Sequence, residues 1–379
     1  MKRNVYLMYA ISLLQGMVFY ASIATLYRQA AGLTVWQIAL IESISFALSL
    51  LCEVPWGVIA DRVGYRRVMI ICGVLFFVSK LVFWQARDFA GFLIERILLA
   101  VVIAGLSGVD TGILYLSCPQ ERAHRAFSIC EGLGTAGLLL SAAVCSRIDM
   151  AHYRLTGLLT VIPYGIAAVL CFFLTEVRPE VSERRSPAIF RNCLAQLLHN
   201  RRLMCLVVSG ALIAQVQQAL TVFYNQLQYQ RAGMTTAAIS AVYIVVSLVG
   251  LLGVFSARLT ARLRPRRSGV MLTAAAFAAC VLLTLTDSAV LSVGGVMLVN
   301  VACSLYSPLQ KTLENEAITS PDRATALSMN ALLADLLTVG TGLVYGAIAD
   351  ASVSAAMGFG AVLSIAALGF FLGGSRKRA

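Results

Sequence analysis

Gly57–Ile70 reads GVIADRVGYRRVMI. One aspartate, three arginines and two glycines stand there between two long apolar runs. The chain around them is 59% hydrophobic and only 13% charged, with a mean hydropathy of +0.82. A soluble domain carries about 25% charged residues. No soluble fold covers this much apolar surface, so the expected solvent is lipid. A spanning helix takes about 20 apolar residues, and 379 residues then hold roughly a dozen spans.

Working outward from the knot, apolar runs divide the chain into twelve predicted spans. The first six cover about 5–27, 34–60, 68–86, 89–118, 126–148 and 154–175. The second six cover about 203–229, 235–261, 268–286, 289–311, 324–349 and 352–372. The first run is too long for the h-region of a secretion signal and reads as an uncleaved span. Between the halves lies EVRPEVSERRSPAIFRNCLAQLLHNRR, the one long polar stretch, either a solvated connector or a short surface helix. Expected domains are 1–177, a linker at 178–202, and 203–379. With the N-terminus in the cytoplasm, 23 of the 30 Lys and Arg fall on the inner side and five on the other, which places both termini inside. The halves echo each other: GVFSARLTARLRPRR, Gly253–Arg267, follows the eighth span as the opening stretch follows the second, with Ala257 read where Asp61 would be. Such a repeat of six-span halves is one transporter architecture.

The pattern Gly57-x-x-x-Asp61-Arg62-x-Gly64-x-Arg66-Arg67 closely resembles the loop motif of the major facilitator superfamily, and CEVPWGVIADR is similar to its bacterial E-x-P-x-G-x-x-A-D-R form. Tyr65 stands where the family usually has Arg or Lys. The resemblance implies an all-α polytopic fold of twelve transmembrane helices in two pseudo-symmetric six-helix bundles, with the loop latching the halves in the outward-facing state. Physically, Gly57 would permit close helix approach and Gly64 a tight turn. Asp61 would pair with arginines or a helix N-terminus. Arg62, Arg66 and Arg67 would hold the inner headgroups.

Charges inside spans are costly and mark pathways or pairs. Glu42 and Glu53, eleven residues apart in the second span, fall about 20° apart around a helix and are expected on one face. Glu42 reads as a proton carrier, a substrate contact or a structural pair; Glu53 reads as a brace for the motif loop. Arg96 and Asp110 in the fourth span are nearly four turns apart and are expected to look the same way. RILLA at Arg96 weakly resembles the family's R-x-x-Q-G motif, which implies proton coupling, although Glu95 beside it offers a local ion pair. Asp335 in the eleventh span is the acid expected to serve the second half. Lys80, near the outer end of the third, is expected to snorkel. In the seventh span, QVQQALTVFYNQLQ sets Gln218, Thr221 and Asn225 at one helical spacing and Gln217, Thr221 and Tyr224 at another, predicting a wet stripe. In the family the first, fourth, seventh and tenth spans line the path, which adds Gln15, Tyr20 and Asn300. Glu314, Asn315 and Glu316 read as part of an inner gate.

Several classes are excluded. There is no P-loop, so ATP is not the expected energy source, and no enzyme constellation emerges. Ten scattered cysteines without a CxxC, and three histidines in or beside loops, form no metal or disulfide pattern. The net charge of +12 is spread over short loops, so anionic lipid rather than nucleic acid is the expected counter-charge. The fifth span, EGLGTAGLLLSAAV, lacks the proline of the drug exporters' motif, and its glycines read as small-residue packing. The expected protein is a monomeric secondary transporter in a bacterial cytoplasmic membrane, without cofactor. It would export small amphipathic compounds against a proton gradient or, alternatively, take up a polar metabolite by proton symport.

Overall fold

The computed structural model describes residues 2–177, 199–318 and 323–375. Most of the linker read at 178–202 and the Asp61 side chain lie outside the described residues. The described chain is all-helical, with twelve spans long and apolar enough to cross a membrane. Two helices meet across Thr286–Ser288 alone, where a DS turn was expected. The chain clusters into two compact units, Met1–Ser182 with Thr236–Ile244, and Glu183–Thr235 with Val245–Ala379.

The first unit holds α1 (Lys2–Gly16), α2 (Ala24–Ala30), α3 (Val35–Val63), α4 (Tyr65–Gln85), α5 (Phe89–Leu106), α6 (Val109–Ser117), α7 (Gln120–Cys145) and α8 (Tyr153–Phe172). Local chemistry sets the starts. Thr34 and Gln37 form a capping box at α3, and the Asp88 carboxylate accepts from the Gly91 N–H at 2.9 Å at α5. Helix α1 packs on α7 and α8, α3 on α5, and α4 on α5 and α8. The α1–α7 approach depends on small residues. A Cβ at Gly16 would strike the Gly134 carbonyl, and one at Gly137 would strike the carbonyl of Leu13. Gly134 and Gly137 of the fifth span are therefore packing glycines, as the sequence suggested, whereas Gly132 faces open space. Met8, Ile11, Met69, Cys72, Val102 and Ile113 belong to a fully apolar core on the α1, α4, α5 and α6 side.

Asn4 clamps this unit. Its amide donates to Ser117 Oγ at 3.1 Å and the Thr175 carbonyl at 3.0 Å, and accepts from the Thr175 N–H and hydroxyl. In the segment Thr236–Ile244, Ser240 Oγ shares a hydrogen bond with Ser22 Oγ at 2.9 Å and donates to Cys145 Sγ at 3.6 Å.

The second unit holds α9 (Arg201–Gln218), α10 (Asn225–Arg231), the part of α11 (Thr236–Gly250) from Val245 on, α12 (Ser256–Leu263), α13 (Pro265–Leu285), α14 (Ala289–Ala317), α15 (Arg323–Ala351) and α16 (Val353–Gly374). Helix α16 packs on α13 and α9, and α14 on α13 and α9. In both units large apolar side chains such as Leu140, Val169, Leu285 and Val362 face outward, as lipid requires.

The repeat is visible in the turns. Gly64 joins α3 to α4 with φ +94° and ψ 149°. Arg264 joins α12 to α13 with φ +68° and ψ 148°. Anchored on this turn, Asp61 corresponds to Ala261 rather than Ala257. The difference of four residues is about one helical turn; in the second unit a 3-10 stretch, Leu251–Phe255, precedes the turn.

Candidate functional site

Three helix interruptions shape the first site. The first span breaks between α1 and α2, and its freed backbone groups are recaptured by side chains. Phe19 N–H donates to Thr160 Oγ1 at 3.0 Å, Ser141 Oγ donates to the Val18 carbonyl at 3.1 Å, and the Tyr164 hydroxyl donates to the Gln15 carbonyl at 2.6 Å. The fourth span breaks at Ser107–Gly108, where Gly108 adopts a left-handed φ of +79°. The seventh widens into a π-helical turn at Ala219–Phe223.

The first break delivers Tyr20 and Arg28 into a chain of buried charges. Arg28 Nη1 and Arg96 Nη2 reach the same oxygen of Glu42, Oε1, at 2.9 and 2.6 Å. Arg96 Nε lies 3.6 Å from Glu95 Oε2, and Lys80 Nζ lies 3.8 Å from Glu95 Oε1. Lys80 also donates to the Tyr20 hydroxyl at 3.1 Å. Its ammonium stands 5.1 Å from the Phe76 ring centroid and 5.2 Å from that of Tyr164, a cation–π cage. Tyr20 stacks on Phe83 at 3.8 Å, and Arg28 lies over the same Phe83. Three cations face two carboxylates. Arg28 and Lys80 are buried, whereas the Arg96 side chain keeps 19% exposure and is the accessible member. Burial of such a chain is tolerated only because each charge meets an opposite one.

Several sequence expectations change here. Lys80 does not snorkel; it is enclosed. Arg28, read as an outer-loop residue, is 1% exposed inside the unit. Glu42 is buried and doubly paired while Glu53 is exposed, so the two share no surroundings. The break at Gly108 removes the register that would align Arg96 with Asp110. Asp110 instead accepts from the Thr111 N–H at 2.6 Å in the first turn of α6. Arg96 turns to Glu42 and Glu95.

The motif loop is partly as expected. Gly64 makes the turn, and a Cβ there would lie 2.8 Å from the Glu176 carboxylate. Arg66 serves the protein rather than headgroups. Its guanidinium donates to the Leu174 and Phe172 carbonyls at 2.6 and 3.0 Å, and its N–H donates to Glu176 at 3.2 Å. A cation there suits the negative end of α8. Arg62 and Arg67 are exposed. A Cβ at Gly57 would meet nothing within 4 Å, so no close helix approach is made there.

In the second unit, Gln217 Nε2 donates to Asn300 Oδ1 at 3.0 Å and Ser304 Oγ at 3.1 Å, and Asn300 donates to the Val246 carbonyl at 2.7 Å. The single stripe predicted for the seventh span does not persist, because the π-turn resets the helical register. Gln217, Gln218 and Thr221 stay half-buried. Tyr224 is buried and stacked on Tyr345 at 5.2 Å. Asn225 is buried and donates back to the Thr221 carbonyl at 3.0 Å. Asp335 is exposed; the buried acid of this unit is Glu314, which sequence reasoning had placed with Glu316 at a gate. Among the described residues no group of three metal-binding side chains occurs.

The comparisons with known proteins agree with this architecture. The family model of the Major Facilitator Superfamily matches residues 5–341. Over 348 residues the chain is 24% identical to the multidrug resistance protein MdtG of Salmonella arizonae, covering 89% of this chain and 83% of that one. It is 30% identical over 141 residues to the MFS-type transporter MJ1560 of Methanocaldococcus jannaschii, a match spanning only 36% of either chain. The solved nucleoside transporter NupG superposes with a TM-score of 0.79 at 15% identity, covering 99% of this chain and all of that one. Twelve spans, a doubled six-span repeat and a family match over nearly the whole length make this chain a membrane transporter of the major facilitator superfamily.

Proposed function

We propose that the protein exports small amphipathic compounds in exchange for protons, and that Glu42 is the group that answers to the proton. The observation that carries this reading is the double grip on Glu42. One carboxylate oxygen receives two guanidiniums, one sealed and one accessible. A proton on Glu42 weakens both contacts at once, leaving Arg96 to Glu95 alone while Arg28 stays enclosed. A single titration thereby changes how α3 is held to α2 and α5, which is what coupling requires. The name of MdtG favours export over uptake. The positive-inside bias supports a bacterial cytoplasmic membrane with both termini inside and anionic lipids around them. A monomer without cofactor suffices.

Proteoliposomes loaded with ethidium test this. Efflux is expected to accelerate under an imposed proton gradient and to stop responding when an ionophore collapses it. Glu42→Gln is expected to lose the gradient-driven component at least tenfold and keep slow downhill equilibration. Efflux unchanged by the ionophore rules the proposal out. Uptake of a polar metabolite by proton symport is the second reading, favoured by the Gln217–Asn300–Ser304 hydrogen-bond cluster. Proton-driven accumulation of a hydroxyl-rich solute, with no ethidium efflux, would select it.

A further inference from the structure

A cavity of about 490 Å³ lies wholly within the second unit, walled by α9, α14 and α15. That volume falls in the range of small-molecule sites. Most of the wall is apolar, including Val207, Ala211, Ile213 and Ala334. Two polar groups inside it are unusual. Glu314 is buried, and its carboxylate takes the amide of Gln310, which also donates to the Leu206 carbonyl at 3.3 Å. Among the described side chains, which do not include that of Arg323, none forms an ion pair with Glu314 within 4 Å. Lys311, three residues away on the same helix, also lines the cavity; its charge is felt at Glu314, but the side chain is exposed and forms no ion pair with the carboxylate within 4 Å. Asn330, across from α14 on α15, is 4% exposed, and both its amide oxygen and its amide nitrogen lack a partner. The Tyr306 hydroxyl, also in the wall, is already engaged with Ser209 at 2.7 Å.

A buried carboxylate whose neighbouring cation stays out of contact and an unpaired buried amide each carry a desolvation cost that a partner relieves. One ligand satisfies both: an organic cation with an apolar body and N–H donors. Its positive charge meets Glu314, a donor meets the Asn330 oxygen, and its apolar body lies along α9. An anion is repelled by Glu314, and among the described residues no group of three His, Cys, Asp or Glu side chains stands here for a metal ion.

We infer that this cavity is a binding site for amphipathic organic cations bearing N–H groups, with Glu314 and Asn330 as its recognition pair. The inference names a substrate class and to that extent rests on the export reading; binding itself is measured without transport. Ethidium, a planar cation with exocyclic amines, is the probe. Its fluorescence anisotropy is followed on the purified full-length protein in detergent. Saturable binding is expected in the unaltered protein and in the control Glu131→Gln, at an exposed position of the first unit. Affinity should fall at least tenfold in Glu314→Gln and at least threefold in Asn330→Leu, with melting temperatures recorded for each. Should Glu314→Gln not fold, the cavity-filling Ala214→Phe decides, with the same tenfold loss expected. Absence of saturable binding, or equal affinity in the variants that fold, overturns the site. Binding lost in Glu314→Gln alongside gradient-insensitive efflux keeps the site and removes proton coupling. Gradient-driven efflux undiminished by Glu314→Gln does the reverse.

Discussion

Arg264 does with a full side chain what Gly64 does without one. Its φ of +68° with ψ 148° lies in a region that costs a non-glycine residue about 1–3 kcal/mol. Arg264→Gly should therefore raise the melting temperature, the relief exceeding the added freedom of the unfolded chain by about 1 kcal/mol. Gly64→Ala should lower it, since the new Cβ adds strain and displaces the Glu176 carboxylate. Thermal melts of the two variants in one detergent check both signs; equal shifts in one direction would refute the comparison. The motif residues were legible because their pattern is local. Tyr65-Arg66 follows the turn glycine directly, and the turn forms where the pattern predicts. The partners of Arg66 were not legible: Phe172, Leu174 and Glu176 lie more than a hundred residues away, and nothing in the spacing names them. Arg28 and Lys80 misled for the same reason. Each sits near a span end, where snorkelling is the default, and only the fold reveals Glu42 and Glu95 waiting beside them.

At the scale of helices, hydropathy located all twelve spans, because apolar length is a property of a single segment. Where a helix deviates from 3.6 residues per turn, periodicity arguments fail. The break at Gly108 separates Arg96 from Asp110, and the π-turn at Ala219–Phe223 scatters the polar stripe of the seventh span. Neither irregularity has a strong local signature; the fourth span carries only a Ser-Gly pair. Helix–helix approach was readable where glycines cluster. Gly134 and Gly137 of α7 face Gly16 and Leu13 of α1 at backbone distance. Gly137→Leu should force these helices apart and remove folded protein from the membrane fraction, whereas Gly132→Leu, at an open position, should accumulate normally. Comparable yields of both variants would show that the α1–α7 seam is not tightly packed.

At the scale of the molecule, the doubled design was readable from two loops and a charge bias, and the charged chain of the first unit was not. That chain gathers residues from four spans, α2 through α5, and no linear pattern encodes such a meeting. Sidedness belongs to this scale too. In a variant stripped of native cysteines, Cys introduced at exposed Arg67 or Arg267 should react with an impermeant maleimide only in inverted vesicles. Cys at exposed Arg87 or Ser288 should react only in right-side-out ones. Labelling of positions 67 and 267 from opposite faces would end the inverted-charge argument for topology and the paired six-span layout with it.

The wide turn at Ala219–Phe223 acts as a shim. It inserts one extra amino acid before α10 without lengthening the span by a full coil. Winding those five residues at ordinary α pitch, with none removed, would swing the segment beyond them by about 100°. Gln228 would then leave the Thr286 carbonyl and Ser292 that it now bridges. By absorbing that residue, the widened turn sets the azimuth of the whole far end of that rod.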